Sequence, residues 1–349
     1  MSSRASTPPV TICIPTFNGE AYLRQSVESA LQQDFEDFEL LIVDDCSEDS
    51  SVNIAYDYAR YDSRVRVYVN ERNLGLGGNW NRCATLARGA WIKFLFQDDT
   101  LDPMCVKRML AAARPGPLIV ACARAVAIEE TISPGEKQFY EYYAAEHSIP
   151  RRFPGESLIS AEAFARHLVD HPIDNCIGEP TAVLIHRSAF QRFGGFRRDL
   201  VQVVDWEFEA RIAVQAGLCY LSEPLATFRV HGRSATATSR ATATRRFQRD
   251  FVDPLLVFYE IVHSKWYEPV RIAAKERRPP VDLSSRLLKA VDVAERSAAE
   301  CQAETVWSGV KERYPWLMSA PPGRRLKRWA RTKTPTCLLS VARWATRPR

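Results

Sequence analysis

Trp91-Ile92-Lys93-Phe94-Leu95-Phe96-Gln97-Asp98-Asp99-Thr100-Leu101-Asp102 begins as an apolar run of strand length and ends in two adjacent carboxylates, followed by a third. Three of its first six residues are aromatic, which suits a buried strand of an α/β sheet. Carboxylates just past the carboxyl end of such a strand stand where open α/β sheets bind ligands. Hard oxygen donors of this kind suit Mg²⁺ or Mn²⁺, ions held by one or two carboxylates together with substrate phosphates. The competing reading is a solvated acidic turn, and the flanking segments decide between the two.

Upstream, residues 10–14 (Val-Thr-Ile-Cys-Ile) form a β-branched run stopped by Pro15, a first strand. Asn18-Gly19-Glu20 gives a turn, after which Leu23, Val27, Ala30 and Leu31 recur at helical spacing over residues 22–33. A second buried strand, residues 38–43, ends in Asp44-Asp45-Cys46-Ser47, and Ser47 or Ser50 is placed to cap a helix over residues 52–61. Residues 65–69 make a third strand, and residues 73–79, rich in Gly, read as a flexible loop leading into a helix over 80–87. With the opening stretch as the fourth strand, this β-α-β-α-β-α-β series predicts an α/β architecture: a doubly wound, mostly parallel sheet with right-handed crossovers.

Downstream, a helix over 104–113 and a fifth strand over 118–127 precede an aromatic and charged stretch, 139–154, that follows no clear period. Residues 181–186 read as a strand and Phe193-Gly194-Gly195-Phe196 as a turn. Val204-Asp205-Trp206-Glu207 then opens a helix whose first-turn acids favour its dipole. Short strands at 220–221 and 225–230 end at His231-Gly232, and helical patterns follow at 247–263, 283–301 and 305–313. The expected division is an α/β sheet domain over 1–240 and a helical C-terminal region over 241–349.

Composition narrows the class. The chain has 349 residues, 46% apolar and 26% charged, the profile of an ordinary globular protein able to bury a full core. Nine cysteines, none in a C-x-x-C pair, argue for reduced thiols and against a zinc site or a disulfide framework. No window reaches the ~18 uncharged apolar residues of a membrane span; residues 118–128 come nearest, and Arg124 interrupts them. The expected location is the cytoplasm or the inner face of the cell membrane. The net charge of +5 is uneven: nine basic residues and no acid fall in residues 323–349, leaving 38 basic against 42 acidic side chains elsewhere. A mildly acidic body with a cationic tail is no uniformly basic nucleic-acid binder. Trp329 and Trp344, set among those cations, suit peripheral contact with an anionic lipid surface; a solvated tail and a helix docked on the acidic body are the competing readings.

Two acid pairs, Asp44-Asp45 and Asp98-Asp99, thus terminate two strands of one sheet. A dinucleotide-binding fold would need G-x-G-x-x-G after the first strand, where this chain has Pro15-Thr16-Phe17-Asn18-Gly19, and no P-loop occurs. The sheet is therefore expected to bind a nucleotide without a Gly-rich phosphate cradle, with a metal on Asp99 offsetting diphosphate charge.

Pro15-Thr16-Phe17-Asn18, Val43-Asp44-Asp45-Cys46-Ser47, Asn73-x-Gly75, Gln97-Asp98-Asp99, Phe193-Gly194-Gly195-Phe196, Asp205-Trp206-Glu207 and Arg229-x-His231 together resemble family 2 glycosyltransferases, in order and spacing, over roughly residues 10–240. The stretch 73–101 is most similar to the rhamnosyltransferase-like branch. The resemblance implies the GT-A fold and an inverting transfer from a nucleotide-sugar donor to a glycan or lipid-linked acceptor. It implies donor contacts at Pro15, Phe17, Asn18, Asp45, Asn73 and Asp98, with Asp45 accepting the N3–H of uracil or thymine and Phe17 packing on the base. It implies Mn²⁺ or Mg²⁺ on Asp99 and His231, Asp205 as general base, and an acceptor side near Glu179 and Trp206. Two departures stand out: Gln97 replaces the first acid of the family's acid-x-acid pattern, and Val204 stands where a Glu usually precedes the base. Helix capping by Asp45, a core position for Phe17 and a purely helix-dipole role for Asp205 remain open alternatives. As activities, a sugar nucleotidyltransferase and a non-catalytic sugar-binding scaffold are the alternatives. The first would want a basic Gly-rich loop near the first strand, and the second does not need Asp99 and Asp205 together.

Overall fold

The computed structural model describes residues 7–234, 237 and 242–318. The basic tail and the lipid contact expected of it lie outside these residues. The chain forms two compact units, one of Met1–Phe164, Asp174–Leu200 and Val204–Ser234, the other of Ala165–Ile173, Val201–Val203 and Ala235–Arg349. The expected single boundary near residue 240 thus becomes a boundary at Ser234 plus two short upstream pieces that join the second unit.

The first unit opens with β1 (Val10–Thr16), α1 (Leu23–Leu31), β2 (Phe38–Asp44), α2 (Ser51–Tyr61), β3 (Val65–Val69), α3 (Leu76–Leu86) and β4 (Trp91–Phe94). Every residue of β1 and β2 is buried, as expected of central strands covered on both faces. Ile12, Ile14, Leu40 and Ile42 pack against Leu23, Val27 and Ile54 of α1 and α2, and full burial of each such side chain is worth roughly 1.5–3 kcal/mol. Strands β3, β2, β1 and β4 are parallel neighbours in that order. The parallel half of the sheet therefore follows the sequence reading. One difference is α3, which starts at Leu76 rather than Trp80 and absorbs Gly77 and Gly78. Its tight seat explains the glycine, because a Cβ on Gly77 would lie 2.8 Å from the carbonyl oxygen of Arg197.

The second half of the sheet is mixed. It contains β5 (Thr100–Leu101), α4 (Cys105–Ala112), β6 (Ile119–Ile128), α5 (Pro134–Glu146), α6 (Ile149–Arg152), β7 (Leu158–Ile159), α7 (Ala161–Asp170), β8 (Val183–His186), α8 (Ser188–Phe193), α9 (Val204–Ala216) and β9 (Leu218–Val230). Strand β8 lies antiparallel between β4 and β6, β9 runs parallel to β6, and β5 and β7 pair antiparallel with β9. The two short strands expected near 220 and 225 are one bulged strand. Its register against β6 slips at Cys122/Ala123 and Ala123/Arg124, where Pro224 enters the ladder. A bulge absorbs a proline that cannot donate to the ladder. The unassigned stretch after residue 139 becomes α5 and α6, with Ser133 capping the Glu136 amide and Pro134 in the first turn.

The second unit is helical, with helices at Ala243–Phe247, Asp253–His263, Glu268–Glu276, Leu283–Glu300 and Glu304–Arg313. A wide π-type turn, Gln248–Val252, breaks the single helix expected over 247–263. Buried Trp307 meets the Phe247 ring edge-on at 6.2 Å and helps hold the bundle closed.

Candidate active site

The carboxyl ends of β1, β2 and β4 meet at one edge of the sheet. After β2, Asp44 and Asp45 divide two tasks. Asp44 holds the turn, accepting from the Ser47 amide at 2.8 Å and its hydroxyl at 2.6 Å. Asp45, 2% exposed, accepts from Asn70 Nδ2 and the Leu74 amide on Oδ1 and from the Gly75 amide on Oδ2. Asn73 also accepts from the Gly75 amide, at 2.9 Å, and Gly75 adopts φ +74°, so Asn73 shapes the loop that wraps Asp45. An ionised carboxylate has about four acceptor positions. Three are used here, which leaves one on Oδ2.

After β1, Pro15 lies within the strand opposite Val43, and the Phe17 ring is 46% exposed. Asn18 ties this loop to the next, its amide donating to Ser47 Oγ and its Oδ1 accepting from the Glu48 amide. Gln97 explains its own presence. It accepts from the Phe17 amide at 2.8 Å and donates to the Phe17 carbonyl at 3.1 Å, clamping the β1 loop to the end of β4.

Asp98 and Asp99 face different partners. Asp98 Oδ2 lies 2.8 Å from His231 Nε2, and its side chain keeps 18% exposure. His231 Nδ1 is 3.3 Å from the Arg233 amide, which leaves the ring proton on Nε2, donating to Asp98. The Tyr22 ring packs on the imidazole at 4.6 Å. Asp99 is 1% exposed; it accepts from the Thr181 hydroxyl at 2.5 Å and the Arg229 amide at 2.9 Å. Burial, reinforced by the neighbouring Asp98 charge, pushes its carboxyl well above the usual range. Asp99 therefore pins β9 and the Thr181 segment behind the pair that Asp98 makes with His231.

Asp205 stands in the first turn of α9 and is half-buried. Its Oδ1 accepts from the Trp206 amide at 2.8 Å. Burial, with the Glu179 carboxylate adding to it against that amide bond, raises its pKa to about 7. Glu179 forms a buried ion pair with Arg124 of β6. Glu209 lies one helical turn beyond Asp205, 0% exposed, and neither of its oxygens has a hydrogen-bond partner. Burial, then the Asp205 charge, pushes it well above the ordinary carboxyl range. A buried unpaired carboxylate neutralises rather than bear its desolvation, so Glu209 is a neutral acid.

Trp206, expected on the acceptor side, is 1% exposed, and its indole donates to the Asp174 carbonyl at 2.8 Å. A helix position facing inward claims this large ring for the core. Glu207, the next carboxylate along, is held by Arg211 at 2.7 Å and 3.1 Å. Arg211 in turn donates to the carbonyls of Phe193 and Gly195, bracing the Phe193–Phe196 turn. Gly195 is required there, because a Cβ would lie 2.1 Å from Asn81 Oδ1.

The glycosyl transferase family 2 model matches residues 11–192. The chain belongs to glycosyltransferase family 2. The glycosyltransferase is 30% identical over 263 residues to the uncharacterised protein MT1568 of Mycobacterium tuberculosis, covering 73% of this chain and 79% of that one. Its fold is similar to that of S. aureus TarS solved with UDP-GlcNAc, with a TM-score of 0.56 at 16% identity over 82% of this chain and 80% of that one. It is also similar to the mannosyltransferase PcManGT of Pyrobaculum calidifontis, solved with GDP-Man and Mn²⁺, with a TM-score of 0.54 at 17% identity over 98% and 89% of the two chains. These likenesses identify the GT-A fold. Thr181, Glu209 and the Arg124 partner of Glu179 escaped the sequence reading. Only Arg124 left a signal, as the lone charge inside an apolar run. Among the described residues, no helix is long and apolar enough to cross a membrane.

Proposed function

We propose that this glycosyltransferase is an inverting, metal-assisted enzyme. It moves a sugar from a UDP- or dTDP-sugar to a hydroxyl of a glycan or lipid-linked acceptor, with Asp205 as general base. The observation that carries this reading is the setting of Asp205, a carboxylate at the mouth of α9 whose pKa is raised to about 7. A sugar hydroxyl is far too weak an acid to ionise alone, and a base matched to neutral pH removes its proton with most effect. In the single displacement, the acceptor oxygen bonds to the anomeric carbon as its proton passes to Asp205. The nucleoside diphosphate leaves with the electron pair of the broken C–O bond. Glu207 is no competitor for this role, being held by Arg211.

The nucleotide end fits a pyrimidine. Asp45 has one acceptor position left beside three filled ones. That matches the single N3–H of uracil or thymine and not the paired N–H donors of guanine. The exposed Phe17 ring offers a face to the base.

The residues also fit a divalent ion. Asp98 Oδ2 and His231 Nε2 are 2.8 Å apart, close to the ~3 Å edge of an octahedron with ligands at 2.0–2.1 Å. The same corner packs two adjacent carboxylates against each other, a concentration of negative charge that a cation relieves. Asp98 and His231 would hold the ion with Asp99 directly behind them, His231 giving up its Nε2 proton. When bound, the ion stabilises the charge that develops on the leaving diphosphate. The test is a panel of UDP- and dTDP-sugars, with GDP-sugars for contrast, assayed with Mn²⁺, with Mg²⁺ and with chelator. Metal-dependent release of the nucleoside diphosphate from at least one donor is expected. Metal-independent release, or release from purine donors alone, would overturn the reading.

A further inference from the structure

Lys93 stands in β4 between Ile92 and Phe94, and all three are fully buried. An ammonium in the interior is costly unless its protons find acceptors, and an apolar side chain would fill the same place in the strand without that cost. The acceptors of Lys93 are backbone carbonyls. Its Nζ donates to the Thr181 carbonyl and lies 3.5 Å from that of Val183. Cys122 Sγ donates to the carbonyl between them, that of Ala182, at 3.4 Å. Two side chains thus hold three successive carbonyls where the turn Pro180–Ala182 enters β8. The Thr181 hydroxyl is committed as well, accepting from the Phe96 amide at 3.2 Å and donating to Asp99 Oδ2 at 2.5 Å.

We propose that Lys93 and Thr181 are positioning residues for the divalent cation: Lys93 fixes the Thr181 backbone, and the Thr181 hydroxyl holds Asp99 in the orientation that joins the segments bearing Asp98 and His231. This rests on the cation lying between Asp98 and His231. Asp99 Oδ1 accepts from the amide of Arg229, two residues before His231, at 2.9 Å. Arg229 Nε in turn donates to the Asp98 carbonyl at 2.8 Å. Asp99 is therefore the bolt between the turn after β4 and the end of β9, and the 2.8 Å spacing of Asp98 Oδ2 from His231 Nε2 depends on it. With one oxygen on Thr181 and the other on Arg229, its carboxyl has a single orientation. Without the Thr181 hydroxyl the carboxyl is free to turn, and Arg229 and His231 can drift from Asp98. An ion that demands near-ideal octahedral geometry tolerates little of that drift. Every contact in this series, from Lys93 to His231, lies within the first compact unit.

The experiment measures Mn²⁺ binding by calorimetry in the presence of UDP, with no turnover, and urea unfolding of each variant reports folding separately. Thr181→Val keeps the shape and removes the hydroxyl, and the affinity should fall about tenfold, as for other partners set behind a metal ligand. Thr181→Ser, which keeps the hydroxyl, should bind as the wild type does. Lys93→Met acts one contact further out and should weaken binding about threefold. The two losses should not multiply in the double variant, because both act through the one contact on Asp99. A purely structural role would move the unfolding midpoint and leave the Mn²⁺ affinity of the folded protein where it was. Unchanged affinity in Thr181→Val or in Lys93→Met, or losses that multiply, would overturn the inference while a loss in Asp98→Asn leaves the cation site standing. A Lys93→Met chain that does not fold would assign the lysine to stability and overturn its part, with Thr181→Val deciding the rest. Unchanged affinity in Asp98→Asn would overturn the site itself, and the inference with it.

Discussion

Replacing Asp205 with Asn is expected to stabilise the protein above neutral pH, at the same position where it removes catalysis. The pKa of Asp205 rises from 3.8 to about 7 on folding. A carboxyl raised in this way favours the folded state fully at low pH. Its contribution is lost as pH climbs from the ordinary value to about 7, because the unfolded chain ionises freely and the folded chain resists. Three pH units at about 1.4 kcal/mol each set an upper limit of about 4 kcal/mol of destabilisation at pH 8. Asp205 retains some exposure, and the Asn amide must itself be desolvated, so about 1–2 kcal/mol is the realistic gain. Urea unfolding of both proteins at several values between pH 4.5 and 8 reads this directly. The two should be nearly equal at the acid end, with the Asn variant pulling ahead as pH rises. A difference that stays flat across that range, or a wild type more stable at pH 8, would refute the argument.

Glu209→Gln should flatten the dependence of stability on pH further, since an acid neutral in the fold but ionised in the unfolded chain destabilises progressively above its ordinary value of 4.5; unfolding at pH 5 and pH 8 checks it. Asp98→Asn should weaken Mn²⁺ binding in the presence of UDP by about tenfold or more, measured by calorimetry. Asp99→Asn should instead loosen the Thr181 and Arg229 contacts and lower the melting temperature; a larger loss of metal affinity from Asp99→Asn than from Asp98→Asn would place the cation on Asp99. Asn81→Ala removes two 2.8 Å bonds to the Phe196 backbone, and chemical unfolding should show a loss of about 2–3 kcal/mol.

The parallel half of the fold was legible because its strands are buried on both faces. Ile12, Ile14, Leu40 and Ile42 have to be apolar, and the acids that end β2 and β4 then stand out against them. The mixed half was less legible. Pro224 interrupts the apolar pattern of β9, and only the partner strand β6 shows that a bulge carries the ladder past it. Helix α5 contains no fully buried residue, so no apolar stripe marks it, and its start is a capping motif built on Ser133. At the site, adjacency in sequence concealed a division of labour. Asp44 and Asp45 differ in what they hold, as do Asp98 and Asp99, because neighbouring side chains leave the end of a strand in different directions. Gln97 looked like a missing acid and proves to be the clamp on Phe17. Glu209 could not be recognised beforehand, since an acid in a helix is ordinarily solvated and only the packing of α9 buries it.

The account depends most on Asp205, and kinetics of Asp205→Asn set beside its donor binding test it most directly. With a donor identified by the panel and saturating Mn²⁺, calorimetry should give an affinity within a few-fold of wild type. Turnover should fall by ~10² or more, the loss expected when a general base is removed. Turnover within a few-fold of wild type, in a variant that binds donor normally, would contradict the claim that Asp205 takes the acceptor proton.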